Sequence, residues 1–319
     1  MITQRDTFIS NLFDYAKKDK DVYLISVDMG APALDRWRKE LPNQFLSCGI
    51  SEQHAINFAA GLSSQGKKVY VYFMASWVAR CFEQIRYSCA MGKNPITILG
   101  NGVGLGYAPA GPAHSPNEDI AYMRSILGIE VITPSNNRVV QGLVKLTYNE
   151  PKLRYIRLER KFAVELNDIY GAECVSDEFI KDGIRTMKIT TAKPKHFPKI
   201  GIVSCGYMLG RCAKVFDSIS DFDYNCSLID LWRVKPIISD NLLKCLFDCD
   251  YIVTVEEQTL SGGLGSAVCE VLIDNSMNIP LCRIGLPERY IFENGNRDYH
   301  LDNNGLSVDS ITKRIIDFI

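Results

Sequence analysis

Glu52 opens a run that could do chemistry: Gly49-Ile50-Ser51-Glu52-Gln53-His54-Ala55, followed by Asn57-Phe58-Ala59-Ala60-Gly61-Leu62. A strand-like segment there gives way to a helix of small residues, so the carboxylate falls at the positive end of a helix dipole. Apolar surroundings at such a place favour a carboxyl that keeps or shares a proton. The plainer reading is an acid in a first helical turn with no chemical duty. His114 lies in Gly111-Pro112-Ala113-His114, a loop composition that leaves little apolar packing for the ring and suits proton transfer near neutral pH. Arg157 and Arg160 flank Glu159; a guanidinium suits bidentate contact with a phosphate or carboxylate, but either arginine could instead pair with Glu159 or face solvent. Tyr70, Tyr72, Phe73, Trp77 and Phe82 could offer a ring face to a planar ligand or fill a core. Gly262-Gly263-Leu264-Gly265 could cradle an anion at a helix start, although a lone short glycine run is weak grounds for that.

The elements that must position these residues alternate throughout. Helical patterns at 7–18, 53–64 and 81–90 are interleaved with strand-like runs at 22–27, 68–73, 96–100, 130–133 and 153–158, the signature of α/β units on a mostly parallel sheet. The pattern weakens between residues 161 and 199, where Lys193-Pro194-Lys195-His196-Phe197-Pro198 is too polar and proline-rich for a regular element. A second α/β series follows, with strands at 200–204, 225–230, 251–256 and 280–284 and helices at 209–218 and 263–274. The predicted organisation is an α/β domain over 1–165, a linker over 166–198 and a smaller α/β domain over 199–319.

Composition narrows the function classes. With 319 residues, 46% of them hydrophobic and 23% charged, the chain can bury more than one core. Lys plus Arg number 36 and Asp plus Glu 37, so no global field draws nucleic acid or an anionic membrane. Eleven scattered cysteines contain no Cys-x-x-Cys pair, which speaks for buried thiols in a reducing compartment rather than a zinc site or a disulfide framework. No apolar run is long enough to span a bilayer and the first residues carry no basic-then-apolar signal. A cytoplasmic protein is expected.

Taken in order, the motifs resemble the transketolase family over nearly the whole chain. The Glu-Gln-His-Ala form at 52–55 is especially similar to 1-deoxyxylulose-5-phosphate synthase. Arg5-Asp6-Thr7-Phe8, Val27-Asp28-Met29-Gly30, Glu83-Gln84-Ile85-Arg86, Gly111-Pro112-Ala113-His114, Val131-Ile132-Thr133-Pro134-Ser135, Tyr155-Ile156-Arg157-Leu158 and Glu256-Glu257-Gln258-Thr259-Leu260-Ser261-Gly262-Gly263-Leu264-Gly265 follow in register. The resemblance implies a two-domain α/β fold, with a thiamine diphosphate-binding pyrimidine domain and a smaller transketolase C-terminal-like domain. It implies that Glu52 hydrogen-bonds N1′ of the aminopyrimidine, supporting the tautomer that activates the cofactor. By the same implication Trp77 best matches the ring that stacks on the pyrimidine, with Phe73 second; Phe82 and Arg80 join the cofactor-binding set. His114 would serve as catalytic and substrate-binding residue, and Arg157, favoured over Arg160, would anchor an anionic substrate group. His54 would be structural or interfacial, His196 and His300 solvated, and the glycine run a packing device, since the family's C-terminal domain does not bind the cofactor.

Two departures from the family matter. Ala110 stands where transketolases carry an aspartate that reads a donor hydroxyl, and loss of that acceptor puts the usual sugar-phosphate specificity in question. The family's Gly-Asp-Gly, which holds the diphosphate through Mg²⁺, is absent; the one Asp-Gly, Asp182-Gly183, lies in the predicted linker. No metal ligand is therefore expected in this chain. An N-terminal, diphosphate-binding transketolase subunit would supply that half in a heterotetramer, with small sugar or 2-oxoacid substrates and neither nucleic acid nor membrane as partner. The implied activity is transfer of a two-carbon ketol or acyl unit to an aldehyde or ketone; the alternatives are the β-subunit of a 2-oxoacid dehydrogenase E1 component and a non-catalytic assembly subunit.

Overall fold

β-Branched and aromatic runs too short for helices become the strands, and the longer amphipathic segments between them become the helices, in the computed structural model of the chain. It describes residues 2–160, 176–190, 194 and 196–319. Its strands are β1 (Val22–Ser26), β2 (Phe45–Ser47), β3 (Lys68–Met74), β4 (Ile96–Asn101), β5 (Glu130–Ile132), β6 (Arg154–Leu158), β7 (Arg185–Ile189), β8 (Lys199–Ser204), β9 (Asn225–Asp230), β10 (Arg233–Lys235), β11 (Tyr251–Thr259) and β12 (Leu281–Leu286). Its helices are α1 (Gln4–Ala16), α2 (Pro32–Glu40), α3 (Glu52–Ser64), α4 (Phe82–Gln84), α5 (Asp119–Ser125), α6 (Asn137–Asn149), α7 (Asp177–Asp182), α8 (Met208–Ile219), α9 (Ser239–Leu246), α10 (Leu264–Asp274), α11 (Arg297–Leu301) and α12 (Val308–Ile316).

The first sheet has the order β10-β5-β6-β4-β3-β1-β2 and is parallel except for β10. Helices cover both faces, as a parallel sheet requires. β3 shows the consequence: Tyr70 and Tyr72 enter the core shared with α1, α2 and α6, whereas Val69, Val71 and Phe73 enter the core shared with α3. Side-chain caps set some helix starts: Thr3 Oγ1 accepts from the Asp6 amide at 3.1 Å and Asn136 Oδ1 from the Val139 amide at 2.9 Å.

The second sheet, β12-β11-β8-β9-β7, is parallel except for its edge strand β7. Part of the predicted linker is thus corrected: α7 and β7 lie within 166–198 and β7 pairs with β9. Its mostly polar, half-exposed residues, Arg185 to Ile189, lack the apolar run of a central strand. Residues 161–175, 191–193 and 195 lie outside the described residues.

The two halves are built into one another. β10, from the second half, adds antiparallel to β5, with Arg233 opposite Ile132 and Lys235 opposite Val131. Ser135 Oγ donates to Asp230 Oδ1 at 2.7 Å and accepts from the Gly206 amide at 2.8 Å. Arg154 Nε, within the buried Glu130 cluster beneath β10, donates to Glu130 Oε2 at 2.6 Å. No helix among the described residues is long and apolar enough to cross a membrane.

Candidate active site

The carboxyl ends of parallel strands form a crevice, the usual place for a ligand on an open α/β sheet. Glu52 reaches that edge as the first residue of α3, and it is buried at 6% exposure. Ser51 precedes it without a side-chain cap, so the carboxylate occupies the positive end of the helix. Its ion pair is a long one, 3.7 Å to Arg80 Nη1. Next to it, the Cys81 thiol is pushed up to about 12, chiefly by burial and further by the Glu52 charge, and so stays a neutral thiol. Gln53 Nε2 donates to the Arg80 carbonyl at 3.0 Å, tying the start of α3 to the turn that follows β3.

That turn, a 3₁₀ segment over Ala75–Cys81, leads into the helix predicted from residue 81, which forms as α4 followed by a π-helical stretch, Ile85–Met91. It aims Trp77 and Arg80 along the crevice. Arg80 lies over the Trp77 ring at 4.5 Å, the Trp77 edge meets the His114 ring at 5.4 Å, and His114 lies 6.5 Å from the Tyr107 ring. Arg160 closes the row, 4.0 Å above Tyr107. Glu52, Arg80, Trp77, His114, Tyr107 and Arg160 therefore form one continuous line of contacts, drawn from the segments after β2, β3, β4 and β6.

His114 Nδ1 is buried with no partner among the described residues, an unmet polar atom at the centre of this line. A pocket of about 230 Å³ opens beside it, lined by Ser76, Ala79, Pro112, Glu118, Tyr122 and, from the second domain, Tyr290. Burial holds the Glu118 carboxyl above its ordinary range, and the Asp119 charge adds to the effect.

Three residues named from the sequence lie elsewhere. Phe73 is fully buried in the core against α3, because strand alternation turns it inward, and it offers no ring face to a ligand. Arg157 is 5% exposed; its Nε donates to Asp119 Oδ2 at 2.8 Å and its Nη1 to Thr133 Oγ1 at 3.3 Å. Burial opposes its charge, but Asp119 outweighs burial and holds the guanidinium protonated. It braces α5 against β6, while the exposed Arg160 stands at the crevice. Phe82 is half-buried and lines a groove with Arg86, Met91 and Leu127 rather than the row. Ala110 is exposed at the mouth beside Pro109. His54 lies exposed on α3 against Phe58 and His196 is exposed, but His300, expected in solvent, is 2% exposed on α11. Tyr107 was missed: its signal was the Gly102-x-Gly104-x-Gly106 loop, where a Cβ on Gly102 would overlap the tyrosine ring.

A family model described as the transketolase pyrimidine-binding domain matches residues 1–163, and one described as the transketolase C-terminal domain matches residues 191–311. The chain belongs to the transketolase family. It is 31% identical to one subunit of an apulose-4-phosphate transketolase of Phocaeicola vulgatus, over 100% of this chain and 98% of that one. A 1-deoxy-D-xylulose-5-phosphate synthase of Caldanaerobacter subterraneus is 28% identical over 98% of this chain, which spans 48% of that enzyme. A split-gene transketolase described as an inactive beta4 tetramer superposes with a TM-score of 0.85 at 24% identity, covering 100% of this chain and 98% of that chain. A transketolase mutant from Pichia stipitis superposes at 0.78 with 16% identity, this chain covering 46% of it. The fold is thus the two-domain transketolase arrangement, in a chain homologous to one subunit of a split transketolase.

Thiamine diphosphate is the cofactor of this ketol-transfer family, and the transketolase crevice fits its pyrimidine end. It offers a buried carboxylate at a helix start and a half-buried indole, both in contact with Arg80. Among the described residues no group of three or more His, Cys, Asp or Glu is placed to hold a metal ion.

Proposed function

We propose that this chain is the pyrimidine-binding subunit of a thiamine diphosphate-dependent transferase, active only with a partner subunit that supplies the diphosphate site and its Mg²⁺, the two assembling as a heterotetramer. The reaction is transfer of a two-carbon ketol or acyl unit from a ketose or 2-oxoacid donor to an aldehyde or ketone acceptor in the cytoplasm, where the free thiols of this chain would stay reduced. The observation that carries this reading is the buried Glu52 at the head of the row ending in Arg160. When bound, the cofactor supplies a carbon nucleophile.

The chain's own residues supply the rest. Glu52 holds a proton against a pyrimidine ring nitrogen, a task for a carboxyl kept from water. Trp77 gives the pyrimidine a flat wall, and Arg80 crosses that wall to pair with Glu52. His114 moves a proton at a substrate oxygen, its buried Nδ1 having no partner among the described residues. Arg160, exposed beyond Tyr107, takes the anionic group of the donor. The apolar Pro109-Ala110 edge offers no side-chain acceptor for a donor hydroxyl, which favours donors that do not need one there.

Glu52→Gln in the reconstituted pair tests the reading. Activity, assayed with a panel of ketose phosphates and 2-oxoacids, should fall by about 10²- to 10⁴-fold, with assembly by size exclusion unchanged. Unchanged turnover, or full turnover by the isolated chain, sinks it.

A further inference from the structure

Arg297 of α11 is 4% exposed and sits between two buried carboxylates, one from each domain. Its Nη1 and Nη2 donate to Glu159 at 2.7 and 2.9 Å, its Nε donates to Glu257 Oε1 at 2.7 Å, and its Nη2 also donates to Glu257 Oε2. Its guanidinium lies 3.6 Å over the Tyr207 ring. Burial opposes its charge, yet Glu159 and Glu257 hold it well above the ordinary arginine range.

The cluster touches the substrate side of the crevice at two points. Glu257 Oε1 also accepts from the Leu105 amide at 3.0 Å, reaching from β11 into the loop after β4. Gly104 permits that approach: its φ is +53°, and a Cβ there would stand 2.6 Å from the Glu257 carboxyl carbon. Two residues beyond Leu105 lies Tyr107, whose ring contacts both the His114 ring and the Arg160 guanidinium. Glu159, the other carboxylate, immediately precedes Arg160 at the end of β6, and its backbone is held by Gln4 and Arg5. One guanidinium thus fixes the two backbone segments that set the distance between His114 and Arg160.

We propose that Glu257, a C-terminal-domain residue, is a positioning residue for donor binding: through the Leu105 amide it holds Tyr107, and through Arg297 and Glu159 it holds Arg160 in register with His114. This rests on the donor role given above to His114 and Arg160. Glu257 touches neither, so its removal should change donor affinity without changing how Glu52 and Trp77 receive the cofactor.

Two variants separate positioning from bulk stability. Glu257→Gln keeps an oxygen that can accept from Leu105; Glu257→Asp keeps the charge for Arg297 but draws the carboxylate back by one methylene. In the isolated chain, hydrogen exchange over residues 103–108 should accelerate at least 10-fold in Glu257→Asp and stay near wild type in Glu257→Gln, with β8 and β9 unchanged in both. In the reconstituted pair, with whichever ketose phosphate or 2-oxoacid the wild type turns over best, Glu257→Asp should raise the donor KM more than 10-fold. Its kcat and half-saturating thiamine diphosphate should stay within 2-fold, while Glu257→Gln, which keeps an acceptor for the Leu105 amide but takes one carboxylate oxygen from Arg297, should raise the donor KM by a smaller factor. Unchanged exchange in Glu257→Asp overturns the inference, as does a parallel loss of donor and cofactor affinity or equal acceleration of exchange over residues 103–108 in both variants. A wild-type pair with no transfer sinks the functional reading instead, while the exchange result still decides whether Glu257 holds the loop.

Discussion

Arg157 and Arg160 show what a side chain's surroundings add to its identity. Both are strand-end arginines three residues apart, and sequence alone gives each the same chemistry. Burial separates them, one locked to Asp119 and Thr133, the other exposed over Tyr107. Arg160→Gln should therefore raise the donor KM about 10-fold or more in steady-state assays and leave the urea midpoint near wild type, because an exposed cation contributes little to stability. Arg157→Gln should instead cost about 3–5 kcal/mol in urea unfolding by stranding the buried Asp119. The opposite pattern would restore Arg157 as the substrate anchor. Glu52 and His114 were legible because their loop and helix-start motifs are local. Tyr107 was not, since its importance comes from its place between His114, seven residues on in the same loop, and Arg160, which the fold brings from after β6.

Most central elements could be read from the sequence, because buried parallel strands appear as bounded, mainly apolar runs such as Lys68–Met74 and Ile96–Asn101. The short edge strands β2, β7 and β10 could not be read, being three to five residues of mixed polarity. Burial also gives the glycine-rich turn a measurable property. Glu256 accepts from the Leu264 and Gly265 amides at 2.6 and 2.8 Å, so the run serves to start α10 against β11. Burial raises the Glu256 carboxyl to about 7 despite those bonds. The folded chain thus binds more protons than the unfolded one between about 4.5, the ordinary glutamate value, and 7. Its contribution to stability is fully present below about 4.5, is lost as pH rises through 7 and is flat above that. The total is about 3 kcal/mol. Urea midpoints from pH 5 to 8 should fall more steeply for wild type than for Glu256→Gln; parallel slopes would remove Glu256 as the cause.

At the scale of the whole molecule, the transketolase arrangement supplies one wall of a crevice, and the domain that does not line the cofactor end still reaches that wall through Tyr290 and Glu257. β10 binds the halves in a different way, since residues 233–235 of the second half complete the sheet of the first. Residues 1–165 expressed alone should accordingly aggregate or dimerise in size-exclusion runs, with a β10 peptide or the remaining chain added in trans restoring a monodisperse species; a well-behaved fragment monomer would count against this. A bare β5 edge is a template for any passing strand. For protein engineers, the boundary seen by family models is therefore the wrong place to swap modules: a chimera that exchanges the C-terminal half must inherit a compatible β5 with it, so in effect the unit of recombination is larger than the unit of homology.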